Sequence, residues 1–471
     1  MRRLFLVALA CAACAAAAGV AHGPRAAAAP ARPNIVFILT DDQRWDELGF
    51  MPQVQSLLQA RGATFTNSFV SNSLCCPSRT SILTGLYSHS TDVYYNQAPH
   101  GGWATFRAGP YESTHTLPIW LSAAGYRTAL IGKYMNGYSK RYDNVIPKGW
   151  SYWFGENIQS EQETSGGYVN WYASNNGKRV FYGATDADYS TDVLAQKSVA
   201  FIQSTPANQP LFLWYAPHAP HTPAIPPTRY ATACHGFAPP RSPNVGVVGP
   251  GEPGWVTRLS WTANQQAHSD ATMLDRCRSL LAVDDAVADI VNALTSTGRL
   301  DNTLVVFASD NGWSAGSHRW EAKRVPWNES GRVPLIMRWD GHITPGTTDS
   351  DLAVNLDWTA TFADAAGVTL PSDVQGRSLL PSLAGNGPAR TDFPIESYDN
   401  LWPTKGHIPP FCGARTANWL YVRYTTGEQE LYDERSDPFE LHNLAADPGS
   451  ASALADMVAR MKADHSAIPS S

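Results

Sequence analysis

The stretch from Ser73 to His89 carries the residue types best suited to covalent chemistry. Pro77 is favoured as a first helical residue, because the N–H that proline lacks would be left unpaired there anyway. Cys75 therefore lies at or just before a helix N-terminus, where free N–H groups and the helix dipole stabilise negative charge. Arg79 follows one turn later and can reach the same position. The spacing predicts an activated cysteine, whereas a buried thiol beside a structural arginine is the alternative for a lone cysteine.

Acidic and amide side chains come directly after two predicted buried strands. One strand stops at Asp41 and Asp42, and a later one stops at Asp310 and Asn311. Because ligands of open α/β sheets bind at the carboxyl ends of the strands, we expect these groups at one catalytic edge. Clustered carboxylate oxygens suit a hard divalent cation, and a solvated turn is the alternative.

Basic side chains follow other predicted strand ends. Lys133 ends one strand, and His218 and His221 lie on a proline-rich loop after another, where the prolines restrict the backbone. His318 and Lys323 come after the last acidic pair. A lone lysine is ordinarily a solvated charge and a lone loop histidine an ordinary hydrogen-bonding group, so these positions need further support.

Apolar runs and amphipathic stretches predict the elements that position these side chains. We expect strands at 34–39, 63–70, 127–131, 210–215, 303–308 and 333–338. We expect helices at 52–60, 117–124, 193–203 and 271–297. Residues 224–269 are rich in proline and glycine and predict a long irregular loop. The alternation predicts an α/β fold with a large doubly wound mixed sheet flanked by helices.

The pattern changes after Gly367. Alternating residues around a turn at 417–433 predict a hairpin, and 451–463 predict a terminal helix. We therefore expect a catalytic domain at 33–367 and a small C-terminal antiparallel subdomain at 368–471.

Composition and the N-terminus bear on partners and location. The 471 residues carry a formal net charge of −6, which gives no electrostatic footprint for nucleic acid. Residues 1–29 combine two arginines with an apolar, alanine-rich run, which predicts a secretory signal peptide and an extracytoplasmic protein. The Sec and twin-arginine routes, and lipidation of Cys11 or Cys14, stay open. No later run predicts a transmembrane segment.

The cysteine count suggests disulfides in an oxidising compartment. Two of the seven cysteines lie in the predicted signal peptide, and Cys75 is the candidate reactive cysteine. The remaining Cys76, Cys234, Cys277 and Cys412 form an even set that is compatible with two disulfides. Their connectivity cannot be read from the sequence.

The motif Cys-x-Pro-Ser-Arg at 75–79, followed by Leu-Thr-Gly at 83–85, resembles the signature of the type I sulfatases. In that family a separate formylglycine-generating enzyme oxidises the cysteine to Cα-formylglycine (3-oxoalanine). The hydrated aldehyde is a geminal diol, one hydroxyl of which attacks the sulfur of a sulfate ester. The resemblance covers nearly the whole mature chain and implies a sulfuric ester hydrolase with an alkaline-phosphatase-like fold.

The resemblance also implies a metal site. Asp41, Asp42, Asp310 and Asn311 match the family residues that bind one calcium ion together with the residue derived from Cys75. All of these ligand atoms are oxygens, as a hard cation prefers.

Further family positions imply how sulfate is bound. Lys133 and Lys323 match lysines that neutralise the sulfuryl oxygens, and Arg79 would hold the diol with the metal. The family frame Ala-Pro-His-x-Pro fits both His218 and His221. We choose His218, nearer the strand end, to protonate the leaving alcohol or position the ester oxygen, and keep His221 as the reserve.

One position departs from the family pattern, and one run indicates the substrate. Many relatives carry a histidine two places after the lysine, where this chain has Met135. The base that releases sulfate therefore stays open, with His318 as a candidate to compensate. The run 145–153 resembles the glucosamine-6-sulfatase branch, and either a sulfated carbohydrate or a small aryl sulfate is expected as substrate.

Two other functions are compatible with the motif. A phosphonate or phosphate monoester hydrolase of the same superfamily would usually need extra cationic groups or a second metal, and the sequence offers no second carboxylate and histidine cluster. A non-catalytic relative that binds sulfated glycans would be expected to lose Cys75, Arg79 or a metal-binding aspartate, and all of them are present.

Overall fold

The computed structural model describes residues 32–138, 140–142, 144–157, 166–387, 389–398 and 408–464, without the side chains of Lys140 and Asp464. The predicted signal peptide, residues 1–29, lies outside this part of the chain. Within it, no helix combines the length and the apolar character that a membrane crossing requires.

The strands follow one another through most of the chain. They are β1 (Asn34–Thr40), β2 (Ala63–Phe65), β3 (Ser68–Phe69), β4 (Arg127–Gly132), β5 (Tyr152–Asn157), β6 (Trp171–Asn175), β7 (Lys178–Tyr182), β8 (Leu211–Ala216), β9 (Thr303–Ser309), β10 (Ser314–Ala315), β11 (Glu321–Ala322), β12 (Leu335–Arg338), β13 (Thr347–Asp349), β14 (Ala353–Val354), β15 (Asp392–Ser397), β16 (Phe411–Thr416), β17 (Trp419–Tyr424) and β18 (Gln429–Asp433).

Helices alternate with the strands. They are α1 (Pro52–Leu57), α2 (Cys75–Thr84), α3 (Ser88–Thr91), α4 (Gly102–Ala108), α5 (Leu117–Ala123), α6 (Ser190–Ser204), α7 (Gly254–Thr257), α8 (Ala263–Ser296), α9 (Asn328–Gly331), α10 (Asn355–Ala365), α11 (Leu380–Leu383) and α12 (Ala451–Asp464).

Ten strands form one large mixed sheet in the order β13-β2-β12-β9-β1-β8-β4-β5-β6-β7. The central strands β9, β1, β8, β4 and β5 are parallel, whereas β12 runs antiparallel to its neighbours β9 and β2. Parallel strands covered by helices on both faces are continuous apolar runs, as β1 and β8 are here. The predicted α/β class with a large mixed sheet is confirmed.

Successive residues of β1 point into two separate cores. Phe37 packs on one face against Trp214 and Trp358, with ring centroids 5.1 and 5.8 Å away, in the core that α2, α5 and α10 cover. Ile38 points to the other face, into the core formed with α1, α6 and α8. Because both faces of β1 are buried, only its ends are available for a binding site.

The helix that carries the cysteine motif begins earlier than expected. α2 starts at Cys75, so Pro77 lies inside the first turn rather than at the first helical position. A proline costs little there, because the N–H groups of the first turn have no partner within the helix. Gly85 ends the helix with φ of +71°, in the left-handed region that a residue without Cβ adopts freely.

The other predicted elements are confirmed with shifted ends. The predicted strand at 63–70 is divided into β2 and β3. α8 begins at Ala263, because Thr262 caps it: the Thr262 hydroxyl accepts a hydrogen bond from the Gln265 N–H at 3.2 Å, and the Gln265 side chain reaches back to the Thr262 N–H. The irregular loop predicted at 224–269 is correspondingly shorter.

A second, four-stranded antiparallel sheet follows, in the order β15-β16-β17-β18. It contains the predicted hairpin, β17 and β18, and α12 packs on it through Met457 and Met461. On its other side Leu420 and Tyr424 share a core with Trp255 and Trp327 of the preceding chain. The C-terminal sheet and terminal helix are thus confirmed, and a domain boundary at residue 367 stays a prediction.

The cysteines correct the expectation of two disulfides. Cys234 and Cys277 form a disulfide, whereas Cys76 and Cys412 are free and buried in the part of the chain described. Cys76 belongs to the core on one face of the large sheet, and Cys412 belongs to the cluster under α12. These two thiols cannot pair because they lie in different cores.

A buried glutamate lies where the C-terminal sheet meets the rest of the chain. The Glu430 carboxyl accepts hydrogen bonds from the Trp327 indole N–H at 3.2 Å and from the Tyr424 hydroxyl at 3.3 Å. Burial, and then the charge of Glu252, raises the pKa of Glu430 to about 8. Glu430 is therefore protonated in the native protein at neutral pH.

We expect the disulfide to contribute measurably to stability. Replacing both cysteines, Cys234→Ser with Cys277→Ser, removes a cross-link between residues 43 positions apart and should cost about 4 kcal/mol. Calorimetry would show this as a lower melting temperature. Cys412→Ala, which removes a thiol but no cross-link, is the control, and an equal decrease in both proteins would contradict the expectation.

Glu430 predicts a pH dependence of stability. Between the usual pKa of 4.5 and the native value of about 8, the native state holds a proton that the unfolded state has released. Stability therefore falls as pH rises through this window, by up to about 1.4 kcal/mol per pH unit. Glu430→Gln should flatten the decrease in melting temperature from pH 5 to pH 8, and exposed Asp456→Asn should not. Parallel curves for wild type and Glu430→Gln would argue against a buried protonated carboxyl.

Candidate active site

The acidic pairs meet because β1 and β9 are neighbours in register. Thr40 lies opposite Ser309 in the parallel ladder, so Asp41 and Asp310 leave the sheet side by side. The backbone at Asp41 is held from the other side, since its N–H donates to the Ala219 carbonyl at 3.3 Å. The carboxyl edge of the sheet is therefore the place that collects the predicted groups, as expected for this fold.

Asp42, Asp310 and Asn311 form a network of their own. The Asp42 N–H donates to Asp310 Oδ1 at 3.1 Å, and the Asn311 side-chain amide donates to Asp42 Oδ1 at 2.6 Å. Asp42 has φ of +69°, a conformation that aspartate tolerates better than most residues. All three side chains are fully buried.

Cys75 lies between these acids and the basic groups. Its Sγ is 3.6 Å from Asp41 Oδ1 and 2.9 Å from Lys323 Nζ. Burial raises the pKa of the thiol to about 11, although Lys133 and Lys323 act to lower it. The unmodified thiol is therefore protonated at neutral pH, which corrects the expectation that the helix N-terminus by itself activates the cysteine.

The buried guanidinium of Arg79 contacts residues at the ends of three different strands. Its Nε donates to Asp310 Oδ2 at 2.7 Å, one terminal nitrogen donates to the Lys133 carbonyl at 2.7 Å, and the other lies 3.6 Å from Asp41 Oδ2. Such a group orients its neighbours rigidly, because the planar guanidinium fits several acceptors at once.

The two predicted lysines reach the same centre from different strand ends. Lys133 Nζ is paired with Asp41 Oδ2, and Lys323 Nζ with Asp42 Oδ1. Burial acts to raise the pKa of Asp41, but the positive charges of Lys133, Arg79 and Lys323 hold it well below its usual range. Burial dominates at Asp42 and raises the pKa of that carboxyl.

Both loop histidines join the centre. His218 Nδ1 lies 3.6 Å from Asp41 Oδ2, His221 Nε2 lies 3.6 Å from Asp42 Oδ2, and the two rings are 4.5 Å apart. Burial, followed by the charges of His221 and Lys133, lowers the pKa of His218 well below its usual value. Burial, followed by Lys323, lowers the pKa of His221 to about 3. Both imidazoles are therefore neutral in this arrangement.

Several of these groups fit a divalent cation. Ligand atoms of Asp41, Asp42, Cys75 and His221 lie within 4.8 Å of one another. Asp42 Oδ2 and Asn311 Oδ1 are buried and accept no hydrogen bond from any described group, which is costly unless a cation is bound. Carboxylate and amide oxygens, two of which accept no hydrogen bond, suit a hard cation. The Asp310 carboxylate is already engaged by Arg79 and by the Asp42 N–H.

A cavity of about 200 Å³ opens next to this centre. It is lined by Lys133, Met135, Asn136, Tyr138, Glu156, Gly166, His218, His221 and Thr222. Glu156 and Thr222 line the cavity although no sequence motif indicated them. Glu156 was detectable in principle, because it is an acidic residue near the carboxyl end of a buried strand, β5, at the same edge of the sheet.

His318 is not brought to this centre, which corrects its proposed role as a substrate-binding or compensating group. Its Nδ1 lies 2.8 Å from Glu252 Oε1, its Nε2 lies 3.3 Å from the Asn244 amide nitrogen, and its ring stacks 4.1 Å from that of Trp327. With both ring nitrogens engaged and no exposed surface, His318 is part of the packing beneath the C-terminal sheet.

Comparisons with known proteins agree with this geometry. A family model described as "Sulfatase" matches residues 33–368, and one described as "N-sulphoglucosamine sulphohydrolase, C-terminal" matches residues 316–467. The chain is 33% identical over 468 residues to N-acetylglucosamine-6-sulfatase of Homo sapiens, covering 92% of this chain and 82% of that protein. It is 27% identical over 486 residues to N-acetylglucosamine-6-O-sulfatase of Bacteroides thetaiotaomicron, covering 88% of this chain and 82% of that protein.

The fold is similar to that of a solved protein in complex with its substrate D-glucosamine-2-N,6-O-disulfate. The two structures superpose with a TM-score of 0.79 at 25% sequence identity, covering 92% of this chain and 97% of the other. The family model covers more than half of the chain, and the sulfatase signature lies at the centre of the buried site. This chain therefore belongs to the sulfatase family and is a sulfuric ester hydrolase.

Proposed function

We propose that this sulfatase hydrolyses the 6-O-sulfate ester of glucosamine-type sugars to the alcohol and inorganic sulfate. The observation that carries the proposal is the convergence of two lysines and two histidines on Cys75 beside an open cavity. The position of the ester is inferred from the two relatives named for glucosamine 6-sulfates and from the substrate bound in the similar structure.

Lys133 and Lys323 are proposed to bind the sulfate group. Each ammonium is held by a buried aspartate, so both are positioned before the substrate arrives. Fixed positive charges stabilise the negative charge on the sulfuryl oxygens without reorganising during the reaction. Lys323 Nζ lies 2.9 Å from Cys75 Sγ.

His218 is proposed to position the ester oxygen. Its lowered pKa means that the ring is neutral in the described site, so it donates a hydrogen bond more readily than it transfers a proton. His221 donates from Nδ1 to the Thr222 carbonyl at 2.7 Å, which leaves Nε2 as an acceptor facing Asp42. We keep His221 as the reserve for proton handling.

One calcium ion is proposed to bind Asp41, Asp42, Asp310, Asn311 and the residue derived from Cys75. The two buried oxygens without a partner, on Asp42 and Asn311, support this ligand set. When bound there, calcium would favour ionisation of the hydrated aldehyde derived from Cys75 and so help to supply an oxygen nucleophile at neutral pH. Arg79 fixes the carboxylate of Asp310 on one side of the set.

Maturation is part of the same proposal. Burial raises the pKa of the Cys75 thiol to about 11, so the unmodified thiol is a poor nucleophile at neutral pH. We propose that a formylglycine-generating enzyme oxidises Cys75, as membership of the sulfatase family implies. Export through the signal peptide at residues 1–29 would place the enzyme outside the cytoplasm, where sulfated sugars occur and where the disulfide Cys234–Cys277 is stable.

The first experiment tests the nucleophile and the substrate together. Peptide mass spectrometry of the fragment containing Cys75, from protein made in its native host, should give the mass of an aldehyde in place of the thiol. Cys75→Ala should lower turnover of glucosamine 6-sulfate by about a thousandfold or more. Cys412→Ala, a buried free cysteine in the other sheet, should retain activity.

Substrate arms make the result specific. Glucosamine 6-sulfate should be hydrolysed faster than glucosamine 3-sulfate, and an aryl sulfate faster than the matched aryl phosphate. A fully active protein with an unmodified Cys75 would contradict the proposal that the nucleophile is the residue derived from Cys75. Faster hydrolysis of the aryl phosphate would contradict the assignment as a sulfatase.

A second experiment tests the metal. Calcium at about 100 times its dissociation constant should stabilise the native protein by about 2.7 kcal/mol, read as a higher melting temperature. Asn311→Ala should remove most of this gain, because it deletes a vacant buried oxygen ligand. Asn418→Ala changes an exposed asparagine in the turn between β16 and β17 and should leave the gain unchanged. Equal calcium responses in the two variants would exclude Asn311 as a ligand.

A further inference from the structure

A second cavity lies at the same edge of the large sheet as the active site. β12 runs antiparallel to β9, so the residues just before Leu335 lie where β9 ends, and Leu335 pairs with Ala308. β2 runs antiparallel to β12, so Phe65, the last residue of β2, lies at the same edge of the sheet as the end of β9. Between them is a cavity of about 310 Å³, lined by Trp45, Gln55, Gln59, Thr64, Thr66 and Arg332 among others.

Arg332 brings to this cavity a positive charge that forms no ion pair with a described residue. One of its terminal nitrogens donates to the Thr66 carbonyl at 2.5 Å, and among the residues described no carboxylate lies within ion-pair distance of it. Its neighbour Arg415 is paired with Glu434 at 2.9 Å and so does not share that counter-ion. Burial, and then the charge of Arg415, lowers the pKa of Arg332. The charges of Glu434, Asp46 and Glu440 act in the opposite direction from beyond ion-pair distance. The guanidinium therefore has donors available for an anion that enters the cavity.

Trp45 supplies a flat surface next to that charge. The guanidinium carbons of Arg332 and Arg44 lie over the Trp45 ring, 4.9 and 5.6 Å from its centre, and Trp45 remains only half-buried, which leaves part of its side chain open to the cavity. The side-chain amide nitrogen of Gln55 donates a hydrogen bond to the Leu48 carbonyl at 2.9 Å, which leaves the side-chain oxygen of Gln55 available. Gln59 is half-buried beside it. An aromatic ring, amide groups and a guanidinium together match a sugar ring that bears hydroxyls and an anionic substituent.

We propose that this cavity, the Trp45–Arg332 cavity, is an accessory binding site for a sulfated saccharide. The sulfate group contacts the Arg332 guanidinium, the sugar ring packs on Trp45, and the amide of Gln59 meets the sugar hydroxyls. The cavity is separate from the one beside Cys75, since the two share no lining residue. It would therefore retain a polymeric or oligomeric sulfated glycan at the edge of the sheet where sulfate esters are cleaved.

Binding is measured without turnover, on the full mature chain carrying Cys75→Ala. The probe is a heparin-derived octasaccharide, and the readout is its dissociation constant from titration calorimetry. Arg332→Gln and Trp45→Ala should each weaken binding by about fivefold to tenfold, the loss expected for one charge-assisted contact or one ring contact. Arg61→Gln is the matched control, because it removes the same charge from an exposed arginine outside the cavity lining.

A further variant guards against a folding defect in Arg332→Gln. Gln59→Glu changes a half-buried side chain with no hydrogen bond in the described structure, and it should weaken octasaccharide binding by repelling sulfate. Polyglutamate serves as an anion without sugar rings and should bind weakly and without dependence on Trp45. The proposal would be overturned if Arg332→Gln and Arg61→Gln weakened octasaccharide binding equally, or if Gln59→Glu left that binding unchanged. It would also be overturned if polyglutamate bound as tightly as the octasaccharide.

The result is distinguishable from failure of the proposed function. Arg332-dependent binding by a protein that does not hydrolyse glucosamine 6-sulfate would support this cavity and reject that substrate. Hydrolysis with binding that is independent of Arg332 and Trp45 would reject the cavity and retain the substrate.

Discussion

The ionised carboxylate of Asp41 is the interaction on which the rest of the active site depends. It has no exposed surface, and leaving such a charge without partners would cost several kcal/mol. Burial acts to raise its pKa, yet Lys133, Arg79 and Lys323 together hold that pKa well below the usual range. These partners come from separate parts of the chain, so the charge of Asp41 links the end of β1 to α2, to the end of β4 and to the loop after β11.

The charges at this centre are closely matched. Three aspartates, Asp41, Asp42 and Asp310, face three basic side chains, and each basic side chain contacts at least one of the aspartates. A balanced set holds every group in place before substrate arrives, which is the condition for electrostatic catalysis. It also explains why the cysteine is embedded rather than exposed, because only a dry centre gives such charges their full effect.

The C-terminal sheet contributes to this centre through aromatic contacts. The Lys323 carbonyl accepts a hydrogen bond from the Trp320 indole at 3.0 Å, and Trp320 packs against Trp255 with ring centroids 5.8 Å apart. Trp255 stacks on Trp327, which donates to Glu430 of β18. The loop that carries Lys323 is thus supported by the second sheet, and His318 belongs to that support.

The sequence by itself determined the fold class, the order of the elements and most of the residues of the centre. Asp41, Asp310 and Lys133 were predictable because apolar runs mark buried parallel strands, and the ends of such strands meet at one edge. The motif at Cys75 was predictable because its residue types and spacing are local. Only the tertiary structure decided the exclusion of His318, the single disulfide and the placement of Glu156 and Arg332. Those depend on side-chain directions and on contacts between residues distant in sequence, which leave no local pattern.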